Sequence, residues 1–201
     1  MSEKKDIIYN CGKEIFEKKG FKDTNVAEIM KQAGMATGTF YSYYNSKDKL
    51  FMEIYNDENA KLKRRILASL NMEAEPILVM KEMMMKNLQG MQENPILREW
   101  YNRDVFQKLE KGFREEDGAE RVDFLYDSFV EVVRKWQNEG KMRSDISAEM
   151  IMAIFAALVN VDTHKEEIGL EYFPQVIEYL AEFTMKGLMI NENKNEAKEE
   201  V

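Results

Sequence analysis

One cysteine, one histidine, three prolines and ten glycines in 201 residues set the first limits on this chain. Cys11 has no second thiol to pair with, which excludes an internal disulfide framework, and its place on an apolar stripe reads as packing rather than redox sensing. His164 alone cannot build a multi-histidine metal site. No Ser-His-Asp or Cys-His pairing, Gly-rich phosphate loop or paired-cysteine spacing accompanies it, so no catalytic residue, metal or cofactor is expected. His164 reads as a helix-end or interface residue, with a pocket donor as the second role. No apolar stretch reaches the length of a membrane span or resembles a signal peptide, which leads us to expect a soluble, cytoplasmic chain without a membrane partner. So little proline and glycine, with a third of the residues charged, argues for long helices and an all-α fold.

The net charge of -8 is unevenly placed. Residues 1–50 hold nine Lys against seven Asp or Glu, a balance of +2, which leaves -10 for the remainder. Charge alone would drive little binding to nucleic acid. What matters for DNA is local cations facing phosphate, because a distant acidic body is screened beyond about 10 Å at 0.1 M salt.

Residues 24–51, TNVAEIMKQAGMATGTFYSYYNSKDKLF, carry the most information. Asn25 precedes the periodic set Val26, Ile29, Met30 and Ala33, with Glu28 in capping-box position. That predicts a short helix, which Gly34 ends by taking a left-handed backbone. A second short helix is expected over about residues 37–44, with Phe40 and Tyr44 turned inward. Its outer face then carries Gly38, Thr39 and Ser42, flanked by Thr37, Tyr41 and Tyr43: small, hydroxyl-bearing and aromatic, with no carboxylate. Two short helices about a glycine turn have the geometry of a helix-turn-helix whose second helix enters the major groove. Lys47 and Lys49 follow beside Ser46, an N-cap for the next helix, where cations and amides can meet phosphate.

The run Gly34, Thr39, Phe40, Tyr41, Tyr43, Tyr44, Ser46, Lys47 and Leu50, with Gly20, Phe21 and Thr24 before it, resembles the DNA-binding domain of the tetracycline-repressor (TetR/AcrR) family of bacterial transcription regulators. The resemblance covers about residues 5–52. Such proteins commonly carry Ser before the recognition helix; this chain has Ala36, which cannot cap, so the capping is expected to fall to Thr37. Carried over onto this sequence, the motif implies base contacts from Thr37, Gly38, Tyr41 and Ser42, and phosphate contacts from Thr24, Asn25, Thr39, Tyr43 and Lys47.

An amphipathic first helix over residues 4–19 should pack under these two, with Ile7, Ile8, Cys11, Ile15 and Phe16 inward. From residue 47 to about 70 the pattern stays helical. Lys61, Lys63, Arg64 and Arg65 are interleaved there with Leu62, Ile66 and Leu67, and read as a solvated face rather than a DNA contact. The break at 71–76 divides an N-terminal helix-turn-helix domain, 1–50 with a connecting helix 47–70, from a larger helical domain, 71–190; residues 191–201 form a solvated tail. Pro76 opens a Met-rich helix. Met80, Met83, Met84 and Leu88, facing Trp100, Tyr101, Phe106 and Phe129, could line an adaptable apolar pocket or simply fill an ordinary core. Residues 145–164, capped by Asp145 or Ser147, and residues 174–190 supply more apolar surface than one small domain needs. Met150, Ala153, Ile154, Ala157 and Val161, with Ile177, Leu180, Thr184 and Leu188, are candidates for a four-helix interface with a second copy, an intrachain core being the alternative.

The family resemblance implies a homodimer that binds a double-stranded DNA operator and is moved by a small-molecule effector. The function expected is therefore a non-enzymatic transcription regulator, a repressor released from a palindromic operator by a largely apolar ligand. The alternative is a helical ligand-binding or scaffold protein that no longer engages DNA, which the missing cap at Ala36 and the lack of Arg or Gln on the outer face would suit.

Overall fold

A computed structural model describes residues 3–102, 105, 107–108, 111–112, 123–161, 165–169 and 171–190. The expectations for Phe106, His164 and the tail 191–201 lie outside these residues. The fold is all-α, with no strand among the described residues. In order come α1 (Glu3–Lys19), α2 (Val26–Gln32), α3 (Thr37–Phe40), α4 (Lys47–Ser69), α5 (Pro76–Glu93), α6 (Pro95–Arg98), a 3₁₀ turn (Glu99–Tyr101), α7 (Asp123–Asn138), α8 (Ala148–Asn160), α9 (Lys165–Ile168) and α10 (Phe173–Leu188). They gather into two compact units: residues 1–69 with 84–123, and residues 70–83 with 124–201.

The first unit is built on an aromatic cluster. Phe16 from α1 meets Phe51 from α4 edge to face at 4.9 Å, and Phe21 meets the same ring at 5.0 Å. Ile8, Ile29, Met30, Phe40, Leu50 and Ile54 complete a core without solvent exposure. Gly12 permits α1 to lie this close, because a Cβ there would stand 2.7 Å from Leu50 Cδ2. Along the rim a polar ladder joins the two helices: Lys5 to Glu53 at 2.9 Å, Tyr9 to Asp57 at 2.9 Å and Lys13 to Glu58 at 2.8 Å. The spacing of four along α1 puts these three donors on one stripe.

Glu58 is the junction of that ladder. Burial opposes its charge, yet hydrogen bonds from Lys13, Lys61 and Asn94 outweigh this and hold the carboxyl down at about 2. Asn94 at the same time caps α6, its Oδ1 accepting from the amides of Ile96 and Leu97. One asparagine thus fixes both a helix start and its contact with α4.

The second unit encloses Trp136, Phe129, Val133, Ile151 and Phe155. The turn after α7 is tied to the end of α10 by Arg143 N–H to Leu188 O at 2.8 Å and Ile190 N–H to Lys141 O at 3.2 Å. Ser147, not Asp145, opens α8: its hydroxyl accepts from the Met150 amide, while Asp145 pairs with Arg143.

Candidate nucleic-acid interface

Three elements present the candidate face. α2 begins at Asn25, whose Oδ1 accepts from the Glu28 amide at 2.9 Å. Gly34 turns the chain with φ at +67°. α3 then starts after Ala36, which makes no side-chain cap bond, so Thr37 is the first helical residue and does not cap as expected. The second helix is also shorter than the spacing suggested. It closes at Phe40, and Ser42 and Tyr43 donate instead to carbonyls three residues back, at 3.2 and 2.9 Å. An uncapped four-residue helix has little cooperative length, so tertiary packing of its rings fixes it.

That packing decides which side faces out. Phe40 is fully buried and Tyr44 nearly so, and their rings lie 5.6 Å apart. Thr37, Gly38, Tyr41 and Ser42 are exposed, while Thr39 and Tyr43 are half-buried. Around Gly38 a Cβ would meet nothing within 4 Å.

Two expected phosphate ligands are turned inward. Thr24 is 2 % exposed and its hydroxyl donates to Gly20 O at 2.7 Å, so it closes the α1–α2 loop and offers no hydroxyl to solvent. Lys47 Nζ donates to Phe21 O and Thr24 O, both at 2.7 Å, and lies 4.3 Å from the centre of the Phe21 ring. Burial lowers its pKa. Of its three N–H donors, two are therefore occupied by the loop. Glu99, unremarked in the sequence, braces the same loop: its Oε1 accepts from the Phe21 amide at 3.3 Å. Nothing in the local pattern around Glu99 signals this, since its partner is 78 residues away. Cys11 is half-buried, and burial, then Glu14, push its thiol pKa up, in keeping with a packing role.

The proposed pocket residues divide between the units. Met80 and Phe129 are buried and Met83 half-buried in the second, whereas Met84, Leu88, Trp100 and Tyr101 belong to the first. Leu88 and Tyr101 are exposed rather than lining an interior, and Trp100 stacks on Tyr55 of α4 at 5.9 Å. Of the expected interface residues, Met150, Ala153 and Ala157 are exposed, and Ile154, Val161, Ile177, Leu180 and Thr184 half-buried. Leu188 is 4 % exposed and packs within its own unit, contrary to expectation, because the end of α10 is tied to the turn after α7. Tyr179 and Phe183 take up that exposed role on α10, their rings stacked at 5.8 Å.

The geometry of residues 25–44 defines a helix-turn-helix. Residues 8–54 match the model of bacterial regulatory proteins of the tetR family. It is 39 % identical over 57 residues to the HTH-type transcriptional regulator QacR of Staphylococcus aureus, a match covering 28 % of this chain and 30 % of that protein. It is 36 % identical over 67 residues to the HTH-type regulator YuxN of Bacillus subtilis, covering 33 % and 23 %. The match spans less than a third of either relative's length. The whole fold is shared more widely. Thermus thermophilus FadR, a TetR-family repressor solved with lauroyl-CoA, aligns over 93 % of this chain and 96 % of its own at 22 % identity and a TM-score of 0.59. SmeT, the repressor of the Stenotrophomonas maltophilia efflux pump SmeDEF, aligns over 96 % and 93 % at 14 % identity and a TM-score of 0.58.

Proposed function

We propose that this chain is a homodimeric repressor that binds a palindromic operator in double-stranded DNA and leaves it when a small, largely apolar ligand binds. The observation that carries the reading is the outward face of residues 37–43, held out by the buried rings of Phe40 and Tyr44. Thr37, Tyr41 and Ser42 supply hydroxyls and a ring to base edges, and Gly38 lets the backbone come close. Asn25, Thr39 and Tyr43 meet phosphate, joined by the third donor of Lys47.

Dimerisation through α8 and α10 would cover Met150, Ala153, Ala157, Tyr179 and Phe183, whose exposure supports it. Two-fold symmetry then sets the two α3 elements about 34–36 Å apart, one DNA turn. A neighbour in fold, Thermus thermophilus FadR, is a repressor solved with lauroyl-CoA, which supports a small-molecule effector.

Selecting bound sequences from random DNA tests this. The expected outcome is enrichment of a two-fold symmetric site, with Tyr41→Ala reducing discrimination between that site and random DNA by about 1–3 kcal/mol. Enrichment of nothing, or of unsymmetric sequences, contradicts it.

A further inference from the structure

α4 carries a polar stripe in its middle that the DNA-binding reading does not use. Asn56, Asn59 and Lys63 follow one another at spacings of three and four, so they share one face over two helical turns, about 10 Å. The first two are buried and the third half-buried. Asn56 is 1 % exposed and neither its Oδ1 nor its Nδ2 has a hydrogen-bond partner among the described residues; Asn59 is 7 % exposed. Lys63 lies against the second half of α5, where its Nζ donates to Asn87 Oδ1. Leu62 and Gly90 bring the same two helices together, for a Cβ on Gly90 would overlap the Leu62 side chain at 2.3 Å.

Lys63 has no carboxylate partner among the described residues, and burial lowers its ammonium to about 8. Elsewhere in the unit part-buried lysines have fuller sets of partners: Lys5 pairs with Glu53, Lys13 with Glu58, and Lys47 donates to two backbone carbonyls. A half-buried cation facing only a neutral amide, two turns from a buried amide without a partner among the described residues, is a set of donors in want of an acceptor. On the same helix Met52, Ala60 and Ile66 are apolar and buried.

We infer that this stripe is the polar end of the effector site, and that the effector is a small organic acid whose carboxylate meets Lys63 and whose second polar group meets Asn56. The inference deepens the effector-released reading and rests on it. It narrows the largely apolar ligand to one with an anionic end, and it explains why polar groups are kept where apolar ones would pack. Helical side chains lean toward the helix N-terminus, so Lys63 reaches back toward Asn59 and Asn56.

The full chain, without DNA, is loaded with the neutral dye N-phenyl-1-naphthylamine and displaced with decanoate or with 1-decanol. The expected result is displacement by decanoate at a concentration at least tenfold lower than by decanol, a preference that Lys63→Met abolishes and Lys63→Arg retains. Equal potency of the two, failure of both to displace the dye, or a preference that survives Lys63→Met overturns the inference. Melting of the empty protein is the second readout. Lys63→Met and Asn56→Leu should melt at the same or a higher temperature, whereas a marked drop would mean that these groups have structural partners and would also overturn it. Release of DNA by decanoate is measured separately, so that a Lys63-dependent site which leaves DNA binding untouched would sink only the repressor reading.

Discussion

The start and the middle of α4 handle polar groups in opposite ways. At its start, Lys47 is half-buried and answered by two carbonyls and the ring of Phe21, which itself meets Phe51 edge to face. Two turns further on, Asn56 is more deeply enclosed and answered by nothing, and Lys63 by a single amide oxygen. Burying a polar group without a partner costs about 1–3 kcal/mol, so the second arrangement weakens the fold that the first secures. On the proposed function, stability is concentrated where a face is held still for DNA and given up where the effector would bind.

The largest expected effect falls at the start of the helix. Phe51→Ala removes the ring on which Phe16 and Phe21 both rest and should destabilise by about 3–5 kcal/mol in chemical denaturation; a loss below 1 would mean the aromatic cluster does not organise the head. Lys47→Met leaves the Phe21 and Thr24 carbonyls without their donor and should cost about 1.5–3 kcal/mol, with DNA affinity falling alongside stability. If instead stability is kept while the salt dependence of DNA binding flattens, Lys47 is a phosphate ligand first and a loop clamp second.

Glu58 sharpens the comparison by pH. Its carboxyl is held at about 2 in the folded chain against about 4.3 when unfolded, so its contribution is complete above pH 5 and is lost as the pH falls toward 2. Acid titration of stability should show a loss of up to about 2 kcal/mol over that window, and Glu58→Gln should remove that pH dependence. The smallest effect, and one of opposite sign, belongs to the middle of the helix: Asn56→Leu should stabilise by about 1 kcal/mol by removing an unanswered amide.

Much of the head could be read from the residues. Asn25 and Asn94 are caps, Gly34 is a turn, and the spacing of Phe40 and Tyr44 sends both rings inward. These are local rules, satisfied by neighbours within four positions. Thr24 was misread because a hydroxyl beside a DNA-binding motif looks like a surface group, and only closure of the chain brings the Gly20 carbonyl to it, as it brings the carbonyls of Phe21 and Thr24 to Lys47. Lys63 was hidden among Lys61, Arg64 and Arg65, which are exposed. α4 is covered on more than one side, so its periodicity does not separate an inner cation from outer ones. The division of the Met-rich helix between two units had no signature in composition at all.

Gly38→Ala tests the central claim most directly, because it separates the fold from the function. A Cβ at Gly38 meets no atom of the protein within 4 Å, and alanine is the better helix former by up to about 1 kcal/mol, so the variant should melt no lower than the parent. In a gel shift on a selected operator, DNA binding should fall at least tenfold as the methyl group holds the backbone off the base pairs. Unchanged operator affinity in the equally stable variant would contradict the account.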